Sequence, residues 1–311
     1  MLGNLEKKYL VLCVALLVLL GGAALWPQNT EKTTLDAITE TRATDDDQIT
    51  AHDATVRTQI RDGLVPHKAL YEINMTSNRS GSQVLNVEGE MFFEWRPACD
   101  AWLTDHRFSL YYDYTDSPRI HVVSDFSAYE TFDGTSFDFN SVRKRNGQTY
   151  KEVRGQARML ETQDERIAEA LYTRPEDLRY DLNDNTYFPV SHTIELIQRA
   201  RAGDRFFNAY LFDGGDEEGP IQVNSFIGEK ANPMASIPVN ENIDTTLINT
   251  DAYHMRLAFF PADENSNEPD YEIDMIFHEN GIISHMDVDY PEFSVSQKLL
   301  ALEEIDELKC D

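Results

Sequence analysis

From His67 onward, apolar side chains recur at every second position. Tyr71, Ile73 and Met75 alternate with Glu72, Asn74 and Thr76. Leu85, Val87, Gly89, Met91, Phe93 and Trp95 share one face, with Asn86, Glu88, Glu90 and Glu94 on the other. The pattern continues through Phe108, Leu110, Tyr112 and Tyr114, through Tyr253 to Phe259, through Tyr271 to Phe277, and through Met286, Val288 and Tyr290. A period of two is that of an extended chain, so these runs predict half-buried strands, about a dozen of them and roughly 8–14 residues long. Asn78–Ser82, Asp133-Gly134, Asn146-Gly147 and Asn280-Gly281 stand between runs. Asn-Gly and Asp-Gly accept positive φ at both central positions and so favour tight hairpins. One strand face is apolar and the other acidic. An antiparallel sheet that curls on itself buries the first and wets the second. The fold class is therefore mainly β, a single many-stranded antiparallel sheet.

Helices are few. Thr193–Ala202 carries Ile194, Leu196, Ile197 and Ala200 at helical spacing, with Gly203 as the stop. Ile49, Val56, Ile60 and Leu64 predict a short amphipathic helix over 48–63, ended by Gly63 and Pro66. It covers one end of the domain or serves as a lid. Leu299, Leu302 and Ile305 fit a C-terminal helix or a strand followed by one turn. Pro175–Pro189 reads as extended chain without regular structure.

The N-terminus carries Lys7 and Lys8, then an apolar run from Tyr9 to Leu20, then Gly21-Gly22-Ala23-Ala24. This is a secretion signal over 1–24, cut after Ala23 or Ala24, or an uncleaved anchor, since Tyr9–Trp26 is just long enough to span a bilayer. Residues 25–66 are then a flexible tether with the short helix, and 67–311 the β domain. Cysteine usage agrees with export. Cys13 falls in the apolar run, which leaves Cys99 and Cys310 as one pair. In an oxidising compartment they form a disulfide; in a cytosolic chain they would be two buried thiols. The formal charge of −28 over 311 residues repels nucleic acid and anionic lipid headgroups and favours a soluble monomer.

The chain carries little recognisable chemistry. None of its eight histidines forms HExxH, and His278-Glu279 lacks the second histidine at the required spacing. His278 and His285 flank a hairpin turn as ordinary strand residues. Asp213–Glu218 is dense in carboxylates without the ligand spacing of an EF-hand and reads as a solvated acidic turn. There is no Gly-x-Ser-x-Gly, and Ser191-His192 and Ser284-His285 are neighbours whose side chains diverge on a strand. No catalytic residue, metal or cofactor is expected. The positive clue is the interior. Met91, Phe93, Trp95, Met255, Phe259, Met275 and Phe277 either enclose a cavity for an apolar ligand or fill the core. Tyr111, Tyr112 and Tyr114 are candidates for an exposed interaction surface.

The order of several short motifs is informative. His67–Tyr71 is followed by Gly89–Trp95, Cys99–Trp102, Tyr129-Glu130 and Asp133-Gly134. Then come Gly155–Ala157, Phe188–Thr193, Leu211–Gly214, Asn280–Ile282, Asp289–Phe293 and Cys310. Together these resemble the EipB-like family of bacterial cell-envelope integrity proteins over most of 67–310. The resemblance implies a periplasmic chain folded as a β-spiral, a broken barrel with one or two short helices. It also implies a disulfide at the positions of Cys99 and Cys310. Its functional implication is a role in envelope integrity without a settled molecular activity; with the lack of catalytic motifs and the apolar interior, the expectation is a non-enzymatic scaffold or binding protein for an envelope protein or lipid. A lipid or lipoprotein carrier and an exported hydrolase are the alternatives. The acidic insert at Asp213–Glu218 and the long 28–66 tether depart from the family pattern.

Overall fold

The computed structural model describes residues 54–161, 166–234, 237–238, 240–261 and 268–306. The expected signal, most of the tether and Cys310 lie outside the described residues. Fifteen strands form one sheet. A first run comprises β1 (His67–Asn78), β2 (Val84–Pro97), β3 (Ala101–Tyr114), β4 (Ile120–Thr131), β5 (Ser136–Arg145), β6 (Gln148–Glu161), β7 (Arg166–Arg174) and the short β8 (Arg179–Asp181). The second comprises the two-residue β9 (Thr186–Tyr187), β10 (Phe206–Leu211), β11 (Ile221–Ala231), β12 (Ala252–Phe260), β13 (Tyr271–His278), β14 (Ile283–Asp289) and β15 (Phe293–Glu304). Each run is a meander of sequential neighbours, antiparallel except for the β9–β10 pair. The runs join at a central seam where β1 pairs β15 from His67↔Glu304 to Asn78↔Phe293. Two register shifts bend that seam. At the far ends, β8 and β9 are separated in sequence only by residues 182–185. The sheet therefore curls round until its edges lie close, as a spiral that does not close its ladder.

The predicted turns sit where strands reverse. Asn146 (φ 49°) and Gly147 (φ 82°) are the two positive-φ residues between β5 and β6 that a tight hairpin requires. The predicted inner faces are buried, except that Met75, Gly89, Phe93 and Tyr114 are half-buried and Leu85 is exposed. A register shift between Val84 and Asn86 buries Val84 and turns Leu85 outward to 50% exposure, so Leu85 is not on the apolar face. Tyr112 lies on the inner face and is buried, whereas Tyr111 is exposed against His121 and Arg119. The expected cluster of three exposed tyrosines therefore does not form. The 293–304 segment is strand, settling the open choice there.

Two helices are described. Residues 54–62 form α1, within the range expected, with Ile60 fully buried. The second, α2 (Pro189–Ala202), begins four residues before the predicted start, with Pro189 in its first turn. Eight of its fourteen residues are buried, all round the helix, including Ser191, His192 and Glu195. A helix buried on every side lies inside its domain, and α2 is the axle on which the sheet is rolled. The two helices are tied by Arg57 Nη1 to Glu195 Oε2 at 2.7 Å, while Arg199 Nε holds Oε1 of the same carboxylate at 2.7 Å.

Candidate functional site

Two adjoining cavities of about 120 Å³ each lie between α2 and the inner face of the sheet. One is walled by β4, β5, β12 and β13, with Phe126, Phe137, Phe259, Met275 and Phe277. The other is walled by β1 and β2, with His67, Met91, Phe93 and Trp95. Six of the seven interior residues picked from the sequence line one or both; Met255 is buried in the core but lines neither. The cavities share Thr104 and His106 of β3, Pro189 and Thr193 of α2, and Phe277, Ile283 and Met286 of the opposite arm. Pro189 and Thr193 lie four residues apart, hence on one helix face.

The titratable groups on these walls are held uncharged or already engaged. Burial pushes His67, His106 and His192 down to about 4. His67 Nδ1 lies 2.7 Å from the Val65 carbonyl oxygen and donates to it. Glu130, at the end of β4, is pushed up to about 7 by burial, against the pull of its hydrogen bonds from Ser191 and Val190. Those bonds explain why it is there. Phe188 is the N-cap of α2 and offers no side-chain cap, and Pro189 has no N–H. The next two donors, Val190 N and Ser191 N, each give 2.7 Å bonds to the Glu130 carboxylate, and Ser191 Oγ gives a third at 2.7 Å. His192 N then opens the helical ladder to Phe188 O. A carboxylate from the sheet thus caps the helix, where the macrodipole favours negative charge.

The acidic segment is the clearest departure from the sequence reading. Asp213, Asp216 and Glu218 are buried, and only Glu217 of the segment is exposed. The expected solvated turn is a plug in the curl. Arg143, fully buried on β5, donates to Asp216 Oδ2 at 2.9 Å and to the Gly215 carbonyl oxygen at 2.8 Å. Lys151 pairs with the other Asp216 oxygen. Tyr172 and Tyr180 hydroxyls donate to the Asp216, Glu218 and Glu217 carbonyl oxygens. Burial opposes ionising Asp216, but Arg143 and Lys151 together hold it below the usual carboxylate range. Burial instead drives Asp213 well up and, with Asp216 nearby, Glu218 up to about 8. Gly214 has φ 63°, and a Cβ there would run into the Phe139 ring. The tight turn and the close approach both require glycine.

The remaining sequence candidates are placed apart. His278 Nε2 meets Ser284 Oγ at 2.8 Å and its Nδ1 meets Thr250 Oγ1 at 3.3 Å, whereas His285 meets Asp287. The His278–Ser284 pair is buried and lines neither cavity, so it secures the β13–β14 hairpin. No group of three or more metal-ligating side chains occurs among the described residues. Sequence reasoning misses Glu130 and Arg143 as site residues, although both carry a signal. Each continues an inward-facing alternation, after Phe126 and Ala128 on β4 and after Phe137 and Phe139 on β5.

The EipB-like family model matches residues 59–306. The chain belongs to the EipB-like family. Within that family it is 28% identical over 243 residues to the cell envelope integrity protein EipB of Brucella abortus (strain 2308), covering 77% of this chain and 84% of that protein. It also matches the crystal structure of a β-barrel-like protein of a domain of unknown function from Brucella abortus. There the TM-score is 0.69 at 26% identity, over 78% of this chain and 99% of the other. The EipB-like match takes in every strand, the whole of α2 and the acidic plug.

Proposed function

We propose that this EipB-like chain is a periplasmic, non-enzymatic protein of envelope integrity whose paired cavities hold an apolar acyl segment. The observation that carries this reading is the pair of adjoining cavities between α2 and both arms of the sheet. Each is somewhat smaller than the engineered ~150 Å³ cavity that admits benzene in a protein core. Their methionines, Met91, Met275 and Met286, adapt to ligands of varied shape. The family relative's name supports the envelope role. The test is native mass spectrometry of the protein recovered from its own envelope without reductant. An adduct of acyl-lipid size that organic extraction removes is expected. Bare protein throughout, together with unchanged tryptophan fluorescence on adding short acyl probes, would overturn the cavity reading.

We also infer that Cys99 pairs with Cys310. The β1 registers place Glu304 of β15 and Trp95 of β2 on either side of His67, so β2 and β15 run parallel and finish at the same end of the sheet. Cys99 follows Trp95 by four residues and Cys310 follows Glu304 by six. Closing a loop of 310 − 99 = 211 residues stabilises by roughly 5 kcal/mol at most in the chain-entropy model. Cys99→Ser should therefore lower Tm in non-reducing buffer, and Cys310→Ser should lower it equally, with the double variant no worse. A double variant clearly below either single one would sink the pairing.

A further inference from the structure

The cavities are not uniformly apolar. Three of the seven side chains on their shared wall, Thr104, His106 and Thr193, can form hydrogen bonds. His106 is the distinctive one. It is 9% exposed, and its ring stands edge-on between Phe93, at 4.7 Å, and Phe126, at 5.8 Å. Phe93 belongs to one cavity and Phe126 to the other. No described residue hydrogen-bonds the imidazole, and its nitrogens are not among the fully enclosed unpartnered atoms, unlike His192 Nε2 and Trp95 Nε1 on the same cavity walls. They keep access to the cavity, where a group that carries one donor and one acceptor can take its partner from an occupant.

The occupant that satisfies this ring must also suit the rest of the wall. No lysine or arginine lines either cavity. The carboxylate present, Glu130, is already committed to the α2 amides. A second carboxylate would arrive without a counter-charge and would lose its hydration. A plain hydrocarbon would leave the imidazole unpaired. Building on the acyl-binding reading above, we propose that His106 hydrogen-bonds the carbonyl of an uncharged acyl ester whose two carbon arms occupy the two cavities. The ring N–H donates to the ester carbonyl, and the apolar lobes on either side take the chains.

The test compares three probes of similar size on the full chain: butyl butanoate, octanoic acid and octane. Binding is read by tryptophan fluorescence, with Trp95 on the cavity wall, and by calorimetry. The ester is expected to bind roughly tenfold tighter than either of the others, as one buried hydrogen bond allows. His106→Phe keeps an aromatic ring and should abolish that preference while still binding octane. His106→Gln restores a donor and should recover part of it. Equal binding of ester and octane by the native chain, or an ester preference that survives His106→Phe, would overturn the assignment of His106 while leaving an apolar cavity. Binding of none of the three would remove the acyl-binding reading itself.

Discussion

Arg143→Met is expected to destabilise the domain by roughly 3–5 kcal/mol, because it removes one partner of a buried ion pair and strands the other. For a domain of this length that is a fall in Tm on the order of 10 °C. Arg143 and Asp216 are both essentially inaccessible, and Asp213 and Glu218 are buried beside them. Without the guanidinium, Lys151 is the one cation left against Asp216 among the described residues. The Gly215 carbonyl loses its donor as well. A double-mutant cycle with Asp216→Asn checks the cause. The second substitution should cost much less in the Arg143→Met background than in the native one, since the stranded charge is then gone. Additive losses would mean that the two residues do not act as a pair. A Tm within about 2 °C of native, roughly the effect of less than 1 kcal/mol, would mean that the plug is dispensable.

Glu130→Ala is expected to loosen the start of α2 and with it the cavity walls. Two backbone donors and one hydroxyl lose a common acceptor. Bonds to charged groups are the stronger kind, and the loss should total roughly 3 kcal/mol. Hydrogen exchange locates the effect. Amides at 190–193 should lose protection well before the β1–β15 seam does. Glu130→Gln keeps an acceptor oxygen and should fall between native and Ala. Because Pro189 and Thr193 stand on both cavity walls, acyl-probe affinity should fall with helix protection across the series. Protection at 190–193 unchanged in Glu130→Ala would show that α2 is held by its packing alone.

Much of the fold is legible in the sequence because period-two burial is a local property. The hairpin at Asn146-Gly147, the inner faces of β3, β12 and β13 and the helix stop at Gly203 each depend on a few adjacent residues. What is not legible depends on distant partners. Leu85 leaves the apolar face because of a bulge against β3, and no alternation count reveals where a register slips. The segment around Asp213 reads as solvated chain because six residues carry four carboxylates. Its burial follows from Arg143, some seventy residues earlier. The two halves of that pairing are each visible as an anomaly: a charge in an apolar stripe, and acids clustered round small glycines. Glu130 and the uncapped start of α2 form a second such pair. An inward-facing charge in an alternating strand predicts that a partner exists, while only the tertiary fold says which.

The seam between β1 and β15 has a consequence for how the chain reaches its final form. Each arm is built from hairpins between sequential strands, so each can gather locally with short loops. The seam joins residues more than two hundred positions apart, and closing so long a loop is a late, entropically costly step. For a chain that emerges N-terminus first, the first arm must therefore wait with the free edge of β1 exposed until β15 arrives. The assembly step most open to a chaperone, or to mispairing with another copy, is thus at the middle of the finished sheet and not at its rims.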